Sequence, residues 1–178
     1  MTRVAIIGAG ISGLACARQL VKAGVSVVVF DKGRGIGGRV ATRRAGDLQF
    51  DHGAPFVRAQ RDDFSALLTS LTGGGSAASW TDDKGVTWTV GSPAMSAIPK
   101  AMGVGLDVRL GTQILKVTAD QFGWHLHYGE TQYVATHIVV TVPKPQIAGL
   151  LDYAHPLVAQ LGDVKMEPSL TLMAAVSG

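Results

Sequence analysis

The chain has 178 residues, of which 47% are hydrophobic and 16% are charged. This composition excludes a disordered chain and is enough to build a domain with a hydrophobic core. The net charge of +3 is too small to indicate a nucleic-acid-binding protein by itself. A single cysteine, Cys16, excludes an internal disulfide bond, and no apolar run reaches the ~18 residues that indicate a membrane span. We therefore expect a globular protein in the cytoplasm.

The first thirty residues predict a strand, a helix and a second strand. "RVAIIG" (3–8) is a short run of branched apolar residues that ends at a glycine, which is typical of a buried parallel strand. "ISGLACARQLVKAG" (11–24) has apolar residues near helical spacing and Gly24 as a stop signal. "VSVVVFD" (25–31) is a second buried strand. The two strands should be parallel, with a right-handed crossover between them.

The rest of the chain predicts shorter elements. Residues 61–72 have the pattern of an amphipathic helix, and residues 79–90 that of a β-hairpin. A short helix is expected over 93–102, despite Pro99, and a helical turn over 144–151. Strands of a more antiparallel character are expected in "LDVRLGTQILKVTAD", "GWHLHYG", "TQYVA" and "THIVVTVP", and a last strand in "SLTLMAAVSG".

A glycine motif, "GAGISG", lies between the first strand and the helix. It supplies Gly8, Gly10 and Gly13 in a G-x-G-x-x-G pattern, which indicates dinucleotide binding in this structural context. The first glycine allows the tight turn, the second lets a pyrophosphate approach the backbone, and the third lets helix and strand pack closely. The helix N-terminus, including Ile11 and Ser12, then offers N–H donors to the phosphates. A glycine-rich turn without a ligand is the alternative.

Asp31 ends the second strand, 18 positions after Gly13. A carboxylate at this point can accept hydrogen bonds from the ribose hydroxyls of an adenosine, whereas it would repel the 2′-phosphate of NADP. Lys32 follows directly and is included among the candidate cofactor contacts. An ordinary aspartate in a turn is the alternative interpretation. These features fit NAD and FAD equally well.

A second glycine-rich turn, "GIGGR" (35–39), favours FAD. NAD does not need it, but a longer cofactor lying across the sheet would. Gly37 and Gly38 would let the chain pass close to the cofactor, and the guanidinium of Arg39 would contact the pyrophosphate or the adjoining ribityl group. Seven of the 16 basic residues lie between positions 32 and 61, which fits a local anion site. No aromatic platform accompanies them, so we expect no nucleic-acid partner.

The segments "GAGISGLACARQL", "FDKGRGIGGRVATRR" and "FDHGAPFV" together resemble the N-terminal part of FAD-dependent amine-oxidase-type flavoproteins. Within that superfamily the resemblance is closest to bacterial renalase-like proteins. It continues through "GSPAMSAIPKAM", "LDVRLGTQILKV…GWHLH" and "HIVVTVPKPQ", and so covers nearly the whole chain.

The resemblance implies an α/β fold with a discontinuous, Rossmann-type FAD-binding domain and part of a second, substrate domain. We expect the FAD-binding domain over residues 1–60 and 95–150, and the partial substrate domain over 61–94 and 151–178. The resemblance also implies that the Ile114 backbone hydrogen-bonds to the adenine. Val142 and Pro143 would line the cofactor's path, and "DHGAPFV" (51–57) would lie near the isoalloxazine. The candidate cofactor-binding residues are Gly8, Gly10, Ile11, Ser12, Gly13, Asp31, Lys32, Gly38, Arg39 and Ile114.

Such proteins usually run to well over three hundred residues, so the chain is expected to be a truncated member of the family. Its last strand would then present an unpaired edge, which predicts an oligomeric or aggregation-prone protein. Of the five histidines, His125 and His127 lie on one face of a strand, but no third ligand is evident and we expect no metal site.

The resemblance implies an FAD-dependent oxidoreductase that takes a hydride from a reduced nicotinamide-type small molecule and is reoxidised by dioxygen. Two alternatives remain open: an FAD-dependent amine oxidase, and a non-catalytic dinucleotide-binding fragment that needs a partner chain. No side chain can be named as an acid or base.

Overall fold

The computed structural model describes residues 1–176, which form two units. One unit comprises residues 1–36 and 105–169, and the other comprises residues 37–104 with 170–176. In chain order the strands are β1 (Arg3–Ile7), β2 (Ser26–Phe30), β3 (Thr42–Ala45), β4 (Leu48–Asp51), β5 (Ala77–Thr81), β6 (Thr87–Gly91), β7 (Val108–Arg109), β8 (Lys116–Asp120), β9 (Gly123–Tyr128), β10 (Thr131–Ala135) and β11 (His137–Val140). The helices are α1 (Ile11–Lys22), α2 (Asp62–Gly73), α3 (Ala97–Gly103), α4 (Lys144–Leu151) and α5 (Pro156–Gln160).

The first unit is built on a four-stranded parallel sheet of order β11-β1-β2-β7. β1 and β2 pair from Arg3↔Ser26 to Ile7↔Phe30, and α1 connects them, as the sequence predicted. α1 ends where expected, because the N–H of Gly24 bonds to the Val21 carbonyl and Gly24 has a φ of +77°. The Rossmann-type α/β fold class is therefore confirmed.

A three-stranded antiparallel layer, β10-β9-β8, completes this unit. Its core lies between the two sheets and α4, and Phe30 and Leu126 at its centre are fully buried. Phe30 contacts the rings of Tyr128 and Tyr133, with centroid distances of 5.8 and 5.3 Å. Burial of this apolar surface holds the parallel sheet and the antiparallel layer together.

Three of the strand predictions need correction. "LDVRLGTQILKVTAD" was expected among the strands of antiparallel character, but it contains two strands: β8 is antiparallel to β9, whereas β7 pairs parallel to β2. "THIVVTVP" was expected among strands of antiparallel character, but its strand β11 pairs parallel to β1, from Val4↔His137 to Ile7↔Val140. The predicted strand in "SLTLMAAVSG" does not form in its described part, residues 169–176, and residues 177 and 178 lie outside the described residues. Apolar composition alone did not separate a strand from an extended segment without partners.

The second unit contains two antiparallel hairpins, β3–β4 and β5–β6, together with α2 and α3. The predicted helix over 61–72 appears as α2, the predicted hairpin as β5–β6, and the predicted short helix as α3, which contains Pro99. The buried apolar side chains of this unit include Leu68, Leu71, Met95, Ile98 and Met102.

The observed units divide the chain after residues 36, 104 and 169, whereas the predicted domains divide it after residues 60, 94 and 150. The assignment of either unit to cofactor or substrate binding stays a prediction. Among the described residues, no helix combines the length and the apolar character needed to cross a membrane.

Candidate dinucleotide-binding site

The glycine loop connects the carboxyl end of β1 to α1. Gly8 has a φ of +111°, which side-chain-bearing residues rarely adopt, and its N–H bonds to the carbonyl of Phe30 on β2 at 2.8 Å. A Cβ at Gly8 would lie 2.7 Å from the Oγ1 of Thr141. Both the backbone angle and the space therefore require glycine at the tight turn.

Gly10 occupies a different environment. It is the N-cap of α1 with φ −77° and ψ 176°, and a Cβ built on it would meet no atom within 4 Å. No side chain caps this helix and its first turn carries no acidic residue, so the N–H groups of Ile11 and Ser12 at the start of the helix receive no hydrogen bond from a capping side chain. Open space beside uncapped N–H donors at the positive end of a helix fits a phosphate group.

Gly13 is required for packing. A Cβ on Gly13 would collide with the carbonyl oxygen of Gly8 and would lie 2.9 Å from the Oγ1 of Thr141. The first turn of α1 can therefore approach the end of β1 only because residue 13 has no side chain. Gly8 at the turn and Gly13 at the helix–strand contact thus fill the structural roles that the motif predicts, and the role of Gly10 in binding a pyrophosphate stays a prediction.

Asp31 lies at the carboxyl end of β2, beside the glycine loop. Its Oδ2 accepts a hydrogen bond from the N–H of Ala9 at 2.7 Å, and its Oδ1 accepts one from the N–H of Gly33 at 2.6 Å. The carboxylate therefore ties the glycine loop to the turn after β2. Each carboxylate oxygen can accept a second hydrogen bond, so the side chain still has acceptor capacity for a ribose.

Thr141 was missed in the sequence analysis. It follows β11, and its hydroxyl group donates to the carbonyl oxygens of Ile7 and Gly8, both at 3.0 Å. Its own N–H also bonds to the Ile7 carbonyl at 2.9 Å. Thr141 therefore supports the glycine loop from the strand on the far side of β1. The available signal was a polar residue directly after an apolar strand. The carbonyl groups to which Thr141 donates lie more than 130 positions earlier in the chain, so the sequence did not indicate them.

The remaining candidates of this unit lie around the end of β2. Lys32 is exposed, and its Nζ donates to the Oε1 of Gln146 at 3.1 Å. The segment before Ile114 is tied to the same region, because the N–H of Thr112 bonds to the carbonyl of Asp31 at 2.8 Å. Ile114 precedes β8 and is 6% exposed within the core. Its role in binding adenine stays a prediction.

Gly38 and Arg39 belong to the second unit, where they start a 3-10 turn (Gly38–Val40). Gly38 has a φ of +56°, so the glycine is needed here for its backbone conformation. Arg39 is exposed, and its guanidinium makes no hydrogen bond or ion pair within residues 1–176. Its carbonyl accepts a hydrogen bond from the N–H of Ala54 at 2.9 Å, and a Cβ on Gly53 would collide with that same carbonyl.

The "DHGAPFV" segment is held by Asp51 in the same unit. The Asp51 carboxylate accepts hydrogen bonds from the hydroxyl of Thr42 at 2.6 Å and from the N–H of Met95 at 3.2 Å. The Nδ1 of His52 is buried and finds no hydrogen-bond partner within the described part of the chain. The sequence analysis gave His52 no role, and this orphaned atom is a polar group to which a ligand could bond.

The antiparallel layer carries a small cluster of ionisable side chains. The Nε2 of His125 lies 2.9 Å from the Oδ1 of Asp120, and this carboxylate raises the pKa of His125 above its ordinary value of 6.5. The same contact lowers the pKa of Asp120. The His127 ring stacks on that of His125 at 6.4 Å. Residues 1–176 contain no group of three ligands suited to a metal ion.

Comparisons with known proteins find similarity in the first part of the chain. Residues 6–71 match the family model of the NAD(P)-binding Rossmann-like domain. A protein named as a flavin-containing monoamine oxidase, AofH of Mycobacterium tuberculosis, is 40% identical over 68 residues, which are 38% of this chain and 15% of that relative. Protoporphyrinogen oxidase 2 of Arabidopsis thaliana is 36% identical over 69 residues, which are 39% of this chain and 14% of that relative.

Solved structures agree with the fold over most of the chain. A variant of putrescine oxidase matches with a TM-score of 0.73 and 15% identity, over 90% of this chain and 63% of that one. A fatty acid isomerase from P. acnes matches with a TM-score of 0.67 and 14% identity, over 85% of this chain and 61% of that one. The chain thus spans less than two thirds of the proteins it matches. The family match and the relatives thus cover the same part of the chain, which is similar to the NAD(P)-binding Rossmann-like domain and to FAD-dependent oxidoreductases of the amine-oxidase type.

Proposed function

We propose that the chain binds FAD and forms the cofactor-binding part of an FAD-dependent oxidoreductase. The observation that carries the proposal is the pairing of Gly10 with the uncapped start of α1. The glycine leaves open space in front of the helix, and the helix supplies N–H donors there. The relatives of this segment include a flavin-containing oxidase, and this supports FAD over NAD.

The residues of the first unit would each hold a different part of the nucleotide. The start of α1, with Ile11 and Ser12, would bind the pyrophosphate, because backbone N–H groups and the helix dipole both favour anions. Asp31 would accept hydrogen bonds from the adenosine ribose with the acceptor capacity left after its bonds to Ala9 and Gly33. Thr141 would act indirectly by holding the carbonyl groups of the loop in place.

We further propose, from the sequence resemblance, that the substrate is a reduced nicotinamide-type molecule. The flavin would accept a hydride and pass two electrons to dioxygen, which with two protons leaves as hydrogen peroxide. The protein's part would be to hold the cofactor and to exclude water from the ring. An amine substrate remains the second candidate, since the similar proteins include an amine oxidase by name.

Titration of the purified chain with FAD tests the cofactor proposal directly. We expect saturable quenching of flavin fluorescence and no comparable binding of NADP, whose 2′-phosphate would face Asp31. If neither FAD nor any other dinucleotide binds, the proposal is wrong and the interpretation as a non-catalytic fragment gains support. Anaerobic mixing of the flavin-loaded protein with NADH or with putrescine would then separate the two substrate classes by the bleaching of the flavin absorbance.

Self-association also stays a proposal. The sequence analysis based it on an unpaired strand at residues 169–178, which does not form within residues 169–176. Several apolar side chains in this segment are nevertheless exposed, namely Leu170, Leu172 and Val176. Sedimentation velocity at two concentrations would test the proposal, and a single concentration-independent monomer would contradict it.

A further inference from the structure

The hairpin β5–β6 of the second unit has one edge that is used and one that is open. On β6, the backbone of Thr89 faces away from β5 and exchanges two hydrogen bonds with Val57, at 2.8 and 3.1 Å. Ser79 lies opposite Thr89, so its N–H and C=O groups face away from β6, and those of Thr81 do the same. Both residues are exposed, and these backbone groups have no partner within residues 1–176. β5 therefore presents an unpaired strand edge.

This edge lacks the features that usually protect an edge strand. Natural proteins block further pairing with charged residues, proline or a bulge. β5 (Ala77–Thr81) has the sequence "AASWT", without charge or proline, and its register with β6 is unbroken. The other hairpin of the unit differs, because β3 carries Arg43 and Arg44 and β4 carries Asp51. The β5 edge is thus open to the addition of another strand.

Residues 170–176, "LTLMAAV", have the composition of a strand and belong to the same unit. They form no helix or strand, and their backbone makes no hydrogen bond within the described part of the chain. Leu170, Leu172 and Val176 are 98%, 91% and 93% exposed. This segment, like the β5 edge, contains neither charge nor proline. The unit therefore contains both an unpaired edge and an unpaired segment with the composition of a strand.

The alternation of side chains in the segment matches that of β5. Trp80 lies on one face of β5 and is 49% exposed, whereas the hydroxyl of Ser79 lies on the other face. In an extended segment, Leu170 and Leu172 would lie on one face and Thr171 on the other. A strand added at the β5 edge would then place the leucines beside Trp80 and Thr171 beside Ser79. Like side chains would meet on both faces.

We propose that the β5 edge binds residues 170–176 of a second copy of the chain as an added antiparallel strand. The proposal rests on the self-association proposed above and names the two surfaces that it would use. The chain's own segment does not pair with β5, whereas a second copy would satisfy the edge and the segment at once. Reciprocal exchange between two copies would close the assembly as a symmetric dimer.

The test combines sedimentation velocity with amide hydrogen exchange of the full chain, read by NMR over a range of protein concentrations. In the dimer we expect exchange at Ser79 and Thr81 to be at least about tenfold slower than in the monomer. A monomer at every concentration would overturn both this proposal and self-association. A dimer without slowed exchange at these two amides would overturn this proposal alone. Slowed exchange in the monomer would also overturn it, because the chain's own segment would then occupy the edge.

A proline variant tests the segment itself. In the antiparallel arrangement the backbone of Thr171 faces β5, so Thr171→Pro removes an N–H group that would bond to the edge. We expect dimerisation at least about tenfold weaker, the effect of losing one hydrogen bond, with an unchanged melting temperature of the monomer. Met166→Pro, which lies outside the segment in a stretch without helix or strand, is the matched control and should dimerise as the unaltered chain does. Equal dimerisation of the two variants would overturn the proposal.

Discussion

Gly10 offers the sharpest test of the dinucleotide site, because the structure separates its role in folding from its role in binding. A Cβ at this position meets no atom within 4 Å, and its φ of −77° and ψ of 176° suit any residue. Gly10→Val should therefore leave the free energy of unfolding within about 1 kcal/mol of the unaltered chain, the usual scale of a changed N-cap. For a chain of this length, that corresponds to a melting temperature within about 4 °C.

The same substitution should abolish tight FAD binding. The valine side chain would take the space directly in front of α1, where the pyrophosphate would receive hydrogen bonds from the first turn of the helix. Each hydrogen bond to a charged group contributes roughly 1.5–3 kcal/mol, so the loss of two costs at least about 3 kcal/mol. This weakens binding by a factor of roughly 100 or more. The assay is the titration of flavin fluorescence, run beside a thermal unfolding curve.

Gly149→Val is the matched control, because Gly149 also has open space around it but lies within α4 rather than at a helix N-terminus. The control should bind FAD as the unaltered chain does. If Gly10→Val bound FAD with unchanged affinity, the assignment of the phosphate to this helix would be refuted. If Gly10→Val failed to fold, the conclusion that the space around Gly10 is open would be wrong.

Three further predictions concern the same unit. Gly13→Ala should lower the free energy of unfolding by about 1–3 kcal/mol in urea, because the added methyl group collides with the carbonyl of Gly8. Asp31→Asn places an amide N–H₂ group opposite one of the N–H donors that now bond to the carboxylate, those of Ala9 and Gly33. FAD titration should therefore show binding that is at least about tenfold weaker. Unchanged affinity would argue against a ribose contact. Since Asp120 raises the pKa of His125, the stability added by this pair is complete below about pH 6.5 and is lost as the pH rises through the raised pKa. The difference in urea stability between the unaltered chain and Asp120→Asn should therefore shrink from about pH 5 to about pH 9, and a difference that grows would contradict the sign.

The parts of the fold that the sequence predicted are those with local causes. The first strand, helix and strand follow from apolar periodicity within thirty residues, and the role of Gly13 follows from its spacing after Gly8. The hairpin β5–β6 was predictable because its turn is encoded locally. Asp82 accepts hydrogen bonds from the N–H groups of Lys84 and Val86, both at 2.9 Å, and Gly85 has a φ of +75°.

The parts that the sequence did not predict depend on distant partners. β7 lies in a segment that was predicted as a strand, but its parallel pairing with the end of β2 was not predicted. β11 has the composition of any apolar strand, and its direction is set by pairing with β1. The role of Thr141 has the same origin, since nothing near it in sequence indicates that its hydroxyl bonds to the glycine loop.

The motif of the glycine loop is thus encoded by neighbouring residues, whereas the contacts that hold the loop in place come from distant parts of the chain. Residues 6–71 contain the motif and the acid at the end of β2, yet β1 also pairs with β11, and β2 also pairs with β7. Without the later strands, the backbone N–H and C=O groups on the outer edges of β1 and β2 would lose their partners, and Gly8 would lose its support from Thr141. The shape of the loop that would receive the phosphates therefore depends on residues more than 130 positions further along the chain. A motif of six residues can indicate the ligand class, but the geometry that would bind the ligand belongs to the whole first unit.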